Sequence, residues 1–203
     1  MSHSTAKKNK FMSVEEYLAF EEKSKIKHEY MDGEIFSMAG AKRNYSIVGT
    51  NISTELNVQL REKDCEIHAN DFRVQIRTGH YVYPDVVVAC GEVEVVNDTT
   101  LINPVVVVEV LSKSTESRDR GEKLQDYFNV ESVKDYILVA QNKIKVEHFH
   151  RESNNQWTLR IYENLEELVI LDSIGCRFPL RLIYLKVKFP LLSLVKSKKK
   201  NGK

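Results

Sequence analysis

Four consecutive valines, Val105 to Val108, run into Glu109, Val110 and Leu111, and a second apolar run, Val86 to Ala89, follows Pro84 and Asp85. Strands that carry apolar residues without polar alternation are covered on both faces. The chain must therefore build a sheet with material packed against each side. The same two runs pose a problem, because a carboxylate inside an apolar strand is costly unless it is paired, protonated or bound to a metal. Asp85 and Glu109 are the acids so placed, and if their strands are neighbours the two carboxylates lie side by side. Like charges at that range are unfavourable without a cation between them. A pair of oxygen donors is what Mg²⁺ takes, keeping several waters that a phosphate can replace. Each acid also has an ordinary alternative: a buried Glu can be neutral or satisfied by backbone amides, and an Asp after Pro can cap a turn.

Around these strands the sequence reads as one mixed α/β (α+β) domain over residues 11–190. "MSVEEYLAFEEKS" opens with Ser13 and, three residues on, Glu16, a capping box ahead of a short helix. "KHEYMDGEIFSMAG" reads as two short strands about the Asp32-Gly33 turn, with Glu34 just after it. Ile47, Val48, Ile52, Leu56 and Leu60 recur at helical spacing, which predicts a long amphipathic helix in spite of Gly49. "FRVQIRTG" and "YVYPDVVVAC" read as two strands joined at Gly79. From Val105 to Val139 the order is strand, helix, strand, a right-handed βαβ unit with Ser114 or Thr115 available to cap the helix. "IKVEHFHR", "WTLRIYE" and "LVILDS" alternate, and predict antiparallel strands that extend or cover the central sheet.

Charge limits the partners. The chain holds 30 Lys and Arg against 29 Asp and Glu, net +1, but three lysines fall in residues 1–10 and five in 196–203. That leaves 22 basic against 29 acidic residues, or −7, for residues 11–195. An acidic body argues against a broad basic face for DNA and leaves phosphate attraction to local grooves or to the tails. The tails, 1–10 and 191–203, read as solvated and disordered. Cys65, Cys90 and Cys176 are odd in number and show no CxxC spacing, so neither a disulfide framework nor a zinc site is expected, and a reducing cytoplasm fits. No stretch approaches the roughly 20 apolar residues that cross a bilayer.

"YPDVVVA", then "NPVVVVEVLSKSTESRDRGEKLQDYFNVESVKDYILVA", with "YMDGEI" upstream, resembles the Uma family of restriction endonucleases, members of the PD-(D/E)xK nuclease superfamily. The resemblance covers about residues 12 to 190 and implies a restriction-endonuclease-like core, a mixed sheet flanked by helices, in which Asp85 and Glu109 hold Mg²⁺ or Mn²⁺. It also assigns Glu34 to the site as an outer or second-metal ligand; the ordinary reading of Glu34 is an exposed hairpin carboxylate. In the simplest superfamily pattern a Lys follows the second acid by two positions on the same strand face. Here that position is Leu111. The resemblance offers Lys123 instead, on the following helix, where Asp119, Lys123 and Tyr127 share one face; the alternative is an exposed Asp119–Lys123 pair. Many members carry His where this chain has Tyr45.

The resulting expectation is metal-dependent hydrolysis of DNA phosphodiester bonds, with Lys123 orienting water or neutralising phosphate, and a homodimer by analogy with other restriction-like folds. The rival expectation is a nuclease fold kept as a nucleic-acid-binding or interaction module with weak or no catalysis, which Leu111, Tyr45 and the acidic body favour. His28, His68, His80, His148 and His150 show no spacing that converges on this site. His148 and His150 alternate on one strand face, a metal pair or, more ordinarily, a solvent face.

Overall fold

A computed structural model of the chain describes residues 11–38, 40, 42–153 and 156–189. The two basic tails lie outside them. In chain order the elements are α1 (Val14–Glu21), β1 (His28–Met31), β2 (Glu34–Ser37), α2 (Arg43–Leu60), β3 (Cys65–Ala69), β4 (Arg73–Arg77), β5 (His80–Val82), β6 (Val86–Cys90), β7 (Val95–Val96) and β8 (Thr100–Leu101). There follow β9 (Val106–Leu111), α3 (Glu116–Asp119), α4 (Glu122–Asn129), β10 (Asp135–Ala140), β11 (Val146–Ser153), β12 (Gln156–Tyr162), β13 (Leu168–Leu171), β14 (Cys176–Pro179) and α5 (Leu180–Ile183).

The valine strands sit in the middle of a six-stranded mixed sheet of order β12-β11-β10-β9-β6-β3. β9 and β10 run parallel and are joined by α3 and α4, the expected βαβ crossover; β6 runs antiparallel to β9. All six residues of β9 are buried. Alternation along it sends Val106, Val108 and Val110 to one core, with α2, β13, β14 and α5. Val107 and Leu111 go to the other, with Tyr127 of α4, Tyr136, and Val74 and Val82 of a second sheet. Burial on both faces is thus met by two separate layers, as the lack of polar alternation requires.

The second sheet has the order β2-β1-β5-β4-β8-β7. It corrects the reading of "YVYPDVVVAC" as a single strand: β5 pairs in the second sheet and β6 in the central one, with Pro84 and Asp85 at the crossing. Pro has no N–H to give a ladder, so a strand ends there cheaply. Asp85 therefore stands at a strand entrance rather than within a strand. β11 and β12 extend the central sheet, whereas among the described residues β13 pairs only with β14.

Local signals behave as the chemistry requires. Ser13 Oγ accepts from the Glu16 amide while Glu16 accepts from the Ser13 amide, closing the capping box. Asp32 and Gly33, at φ 45° and 98°, form the left-handed turn that tightens the β1–β2 hairpin. The crossover helix is broken in two at Gly121, where a Cβ would meet the Ser117 carbonyl at 2.9 Å. Thr115 occupies the N-cap of α3 without a side-chain hydrogen bond; Ser112 Oγ accepts from the Thr115 amide instead. The cysteines also require correction. Cys65 of β3 lies opposite Cys90 of β6, with Cα atoms 4.0 Å apart, and the two form a disulfide. Antiparallel pairing erases the 25-residue separation that made the pair look unrelated.

Candidate active site

By continuation of the β6–β9 register, in which Val86 faces Val108, Asp85 is next opposite Glu109. The two acids are joined through the backbone, since the Val110 amide donates to Asp85 Oδ2 at 2.6 Å. Asp85 Oδ1 accepts from the Tyr45 hydroxyl at the start of α2. Glu109 Oε1 accepts from Lys123 Nζ of α4 at 3.2 Å. Leu111 packs into the core, and α4, across the sheet face, places the Lys123 ammonium beside Glu109.

Lys123 has three anionic neighbours. Its Nζ lies 2.6 Å from Glu29 Oε1, 3.2 Å from Glu109 Oε1 and 3.3 Å from Asp119 Oδ1. Lys123 is 4 % exposed and Asp119 1 %, so the pair on the helix face is buried rather than solvated. Asp119 and Lys123 end up on one inward face, as their i,i+4 spacing predicts, although the break at Gly121 puts them on separate helical pieces. Arg118 reaches Glu29 Oε2 at 3.3 Å and lies over the Phe36 ring.

Glu29 was not anticipated, and Glu34 is not in the cluster. Glu34 is exposed at the turn end of the hairpin, and none of the ion pairs among the described residues joins it to Asp85, Glu109 or Lys123. The two acids share a hairpin face, since Glu29 pairs with Phe36 and Met31 with Glu34. They stand two rungs apart, about 7 Å along the strands. His80, set aside on sequence, packs against the same helix: its Nδ1 contacts Asp126 Oδ2, which also takes Arg77 Nε at 3.1 Å.

Three carboxylates, from Glu29, Glu109 and Asp119, contact one buried ammonium, with the Asp85 carboxylate across the strands from Glu109 and Arg118 at the margin. Electrostatics records the imbalance. Burial raises Asp85 to about 6, against the pull of the Tyr45 and Val110 hydrogen bonds and of Lys123. Burial pushes Glu109 well above the usual carboxylate range, and Asp119, Asp85 and Glu29 add to that. Burial opposes the charge on Lys123, but Glu109, Glu29 and Asp119 outweigh it and hold the ammonium well above its ordinary value. Of the buried atoms at the border, Tyr127 Oη has no hydrogen-bond partner, and Asp119 Oδ1 has only its 3.3 Å ion pair with Lys123. An excess of buried carboxylates over buried cations fits a hard divalent cation.

A mixed sheet sandwiched between layers, with a PD dipeptide at one strand entrance facing an acid on the next strand and a lysine beside it, defines a restriction-endonuclease-like fold. Its likeness to known structures supports this: the crystal structure of a "putative nuclease belonging to DUF820" from Anabaena variabilis ATCC 29413 matches with a TM-score of 0.70 at 13 % identity, covering 85 % of this chain and 97 % of that one. The chain belongs to the Uma2 family, described as "Putative restriction endonuclease", which matches residues 14–181. Two relatives come from Synechocystis sp. (strain ATCC 27184 / PCC 6803 / Kazusa). "Uncharacterized protein slr1290" is 36 % identical over 190 residues, 93 % of this chain and all of that one. "Uncharacterized protein sll1609" is 32 % identical over 153 residues, 74 % and 86 % of the two chains.

Proposed function

We propose that the protein is a metal-dependent endonuclease that hydrolyses DNA phosphodiester bonds. The observation that carries this reading is the meeting of Glu109 and Glu29 on Lys123, with Asp85 across the strands from Glu109, in a chain of a nuclease-like family. Asp85 and Glu109 would hold Mg²⁺, for which Mn²⁺ can substitute. A divalent ion bound there supplies Lewis acidity and a more acidic water.

The protein's own groups do the rest. Lys123 stays an ammonium, so it acts as a donor to a phosphate oxygen or an attacking water and not as a base. Glu29 holds it in place from the hairpin and is itself anchored by Arg118 of α3. The Tyr45 hydroxyl and the Val110 amide fix both oxygens of Asp85, which keeps the carboxylate aimed at its neighbour across the strands. On the other face of α2, an open groove of about 390 Å³ carries Thr50, Ser53, Thr54, Asn57, Arg61 and Asn70. Its far wall adjoins the site, because the Asn70 amide donates to the Asp85 carbonyl at 3.0 Å. Hydroxyls, amides and a single guanidinium suit a sugar-phosphate backbone and make no demand on base sequence. Cutting both strands of a duplex needs two such centres, hence a homodimer; Leu159 and Ile161 of the edge strand β12 are exposed and available to it.

The test is cleavage of supercoiled and single-stranded DNA in Mg²⁺ or Mn²⁺, with filter binding of the same DNA, for wild type and Asp85→Asn. Cleavage should fall roughly 10²–10³-fold or more in the variant, the range for losing one group that acts on the transition state. Binding by both proteins without cleavage by either would instead establish the binding-module reading, which the replacement of strand lysine by Leu111 favours.

A further inference from the structure

We propose that Asp135, His148 and His150 form a second metal site, of the imidazole-binding transition-metal class represented by Zn²⁺, on the opposite side of the central sheet from the acidic cluster. Register places it there. Leu138 of β10 is the partner of Glu109 and shares its face, while Asp135 and Ile137 point to the other. On β11, His150 pairs with Asp135 and His148 with Ile137, so both imidazoles stand on the Asp135 side.

The three groups are already drawn to one point. Asp135 Oδ1 lies 2.6 Å from His148 Nε2 and 2.7 Å from His150 Nδ1, and the three ligand atoms all fall within 4.8 Å of one another. Zn²⁺ binds imidazole nitrogen and carboxylate oxygen at about 2.0–2.1 Å, which sets tetrahedral neighbours about 3.3 Å apart. The cluster is therefore a hydrogen-bonded, contracted form of such a site. It reaches metal geometry if the carboxylate withdraws by about 0.7 Å. Ser173, in the β13–β14 turn, donates to Asp135 Oδ2, the outer-sphere hydrogen bond that orients a ligating carboxylate and leaves Oδ1 for the ion.

Charge points the same way. Asp135 is 0 % exposed, and among the described residues its ion pairs are to these two histidines alone, with no Lys or Arg. The carboxylate is thus buried without a permanent cation. His148 Nδ1 is likewise buried and unpartnered. Two imidazoles and one carboxylate select Zn²⁺ and its neighbours over Mg²⁺, which prefers oxygen. The His150 side chain is 22 % exposed, so solvent reaches the cluster and a water can complete the coordination. An ion here would tie the β10–β11 pair to the β13–β14 turn.

The experiment uses the full chain without an affinity tag, loaded with Zn²⁺, dialysed against metal-free buffer and assayed for zinc by mass spectrometry, with Co²⁺ absorption on a parallel sample. Wild type and Asp85→Asn should each retain one equivalent. His150→Ala and His150→Gln, shown folded by circular dichroism, should bind at least roughly tenfold more weakly, since even an outer-shell partner is worth about 10–100-fold. The Co²⁺ complex should lack a thiolate charge-transfer band. The proposal fails if wild type retains no zinc, if both His150 variants retain it equally, or if the band shows Cys176 to be a ligand. Loss in Asp85→Asn alone would assign the ion to the acidic cluster and overturn it too. Because the readout is metal content, DNA cleavage can fail without touching this result.

Discussion

The acidic cluster at Glu109 and the histidine cluster at Asp135 solve one problem in two ways. Each buries a carboxylate on a central strand, on opposite faces of one sheet. At Glu109 the compensating charge is a single ammonium brought from a helix and shared among three acids. At Asp135 the compensation is local, two imidazoles from the adjacent strand and a hydroxyl, all serving one acid. The carboxyl groups respond in opposite directions. Asp85 and Glu109 are driven up because burial outweighs their partners, whereas burial of Asp135 is overcome by His148, Ser173 and His150, which hold it low. The first site stores a demand for positive charge. The second is closer to balance, and opens to a metal only by giving up hydrogen bonds.

Removing Lys123 should separate the two most sharply. Lys123→Met leaves Glu29, Glu109 and Asp119 facing one another without their cation, and breaking a buried pair in this way costs about 3–5 kcal/mol. Protonation of the acids relieves the loss, so the penalty should be smaller at pH 5 than at pH 8. Mg²⁺ should restore part of the melting temperature. A uniform penalty, insensitive to both pH and Mg²⁺, would show that the lysine matters through packing alone.

The same contrast predicts a pH dependence of the metal-free wild type. Asp85 has a folded-state value of about 6 against 3.8 when unfolded, so its contribution is present below pH 3.8 and is lost as the pH rises through 6. At 1.36 kcal/mol per unit this amounts to about 3 kcal/mol. Asp135 has the opposite sign: its folded value is depressed, so its contribution is present above 3.8 and is lost as the pH falls below that. Denaturant melts should therefore weaken from pH 4 to 6 in both proteins, because Glu109 is raised as well, but less steeply in Asp85→Asn. Equal slopes in the two proteins would remove the basis for treating Asp85 as an acid strained by burial.

Which parts of this were legible in the sequence follows from the range of the interactions. The capping box at Ser13 and the Asp32-Gly33 turn are decided within four residues, and both formed as read. The βαβ unit was legible because unalternating valines state that both faces are covered. Glu109 and Asp85 could be picked out by the same signal, since a charge in such a run is conspicuous. Lys123 was reached only through the family resemblance, and Glu29 was not reached at all. Glu29 sits in "KHEYMDGEIF", where hairpin periodicity marks Glu29 and Glu34 equally, and only the packing of the hairpin on α3 and α4 decides between them. Cys65 and Cys90 became a pair through the β3–β6 register, and Asp135 met His148 and His150 through that of β10 and β11. No local pattern encodes either.

The choice between the two hairpin acids can be put to a direct test of smaller effect. Glu29→Gln removes the negative charge from the 2.6 Å contact to Lys123 and loosens the ammonium beside Glu109, so cleavage should fall by roughly tenfold, near the lower end of the about 1.5–3 kcal/mol that a hydrogen bond to a charged group supplies. Glu34→Gln, at an exposed position, should stay within about twofold of wild type, as surface substitutions do. The reverse pattern would restore Glu34 as the acid of the site and make Glu29 a structural partner of Arg118.

The smallest expected effect concerns Tyr45. Its hydroxyl donates to Asp85 Oδ1 and so favours the ionised carboxylate. Tyr45→Phe keeps the ring and removes that donor, which should cost about 1 kcal/mol and raise the Asp85 carboxyl further. The shift is readable as an upward displacement, relative to wild type, of the pH at which metal-free stability stops falling. The histidine cluster, on the far face of the sheet, should keep its zinc stoichiometry unchanged. A stability loss with no displacement would mean that the hydroxyl only fills space beside Asp85, and that the approach of α2 does not set the charge of this acid.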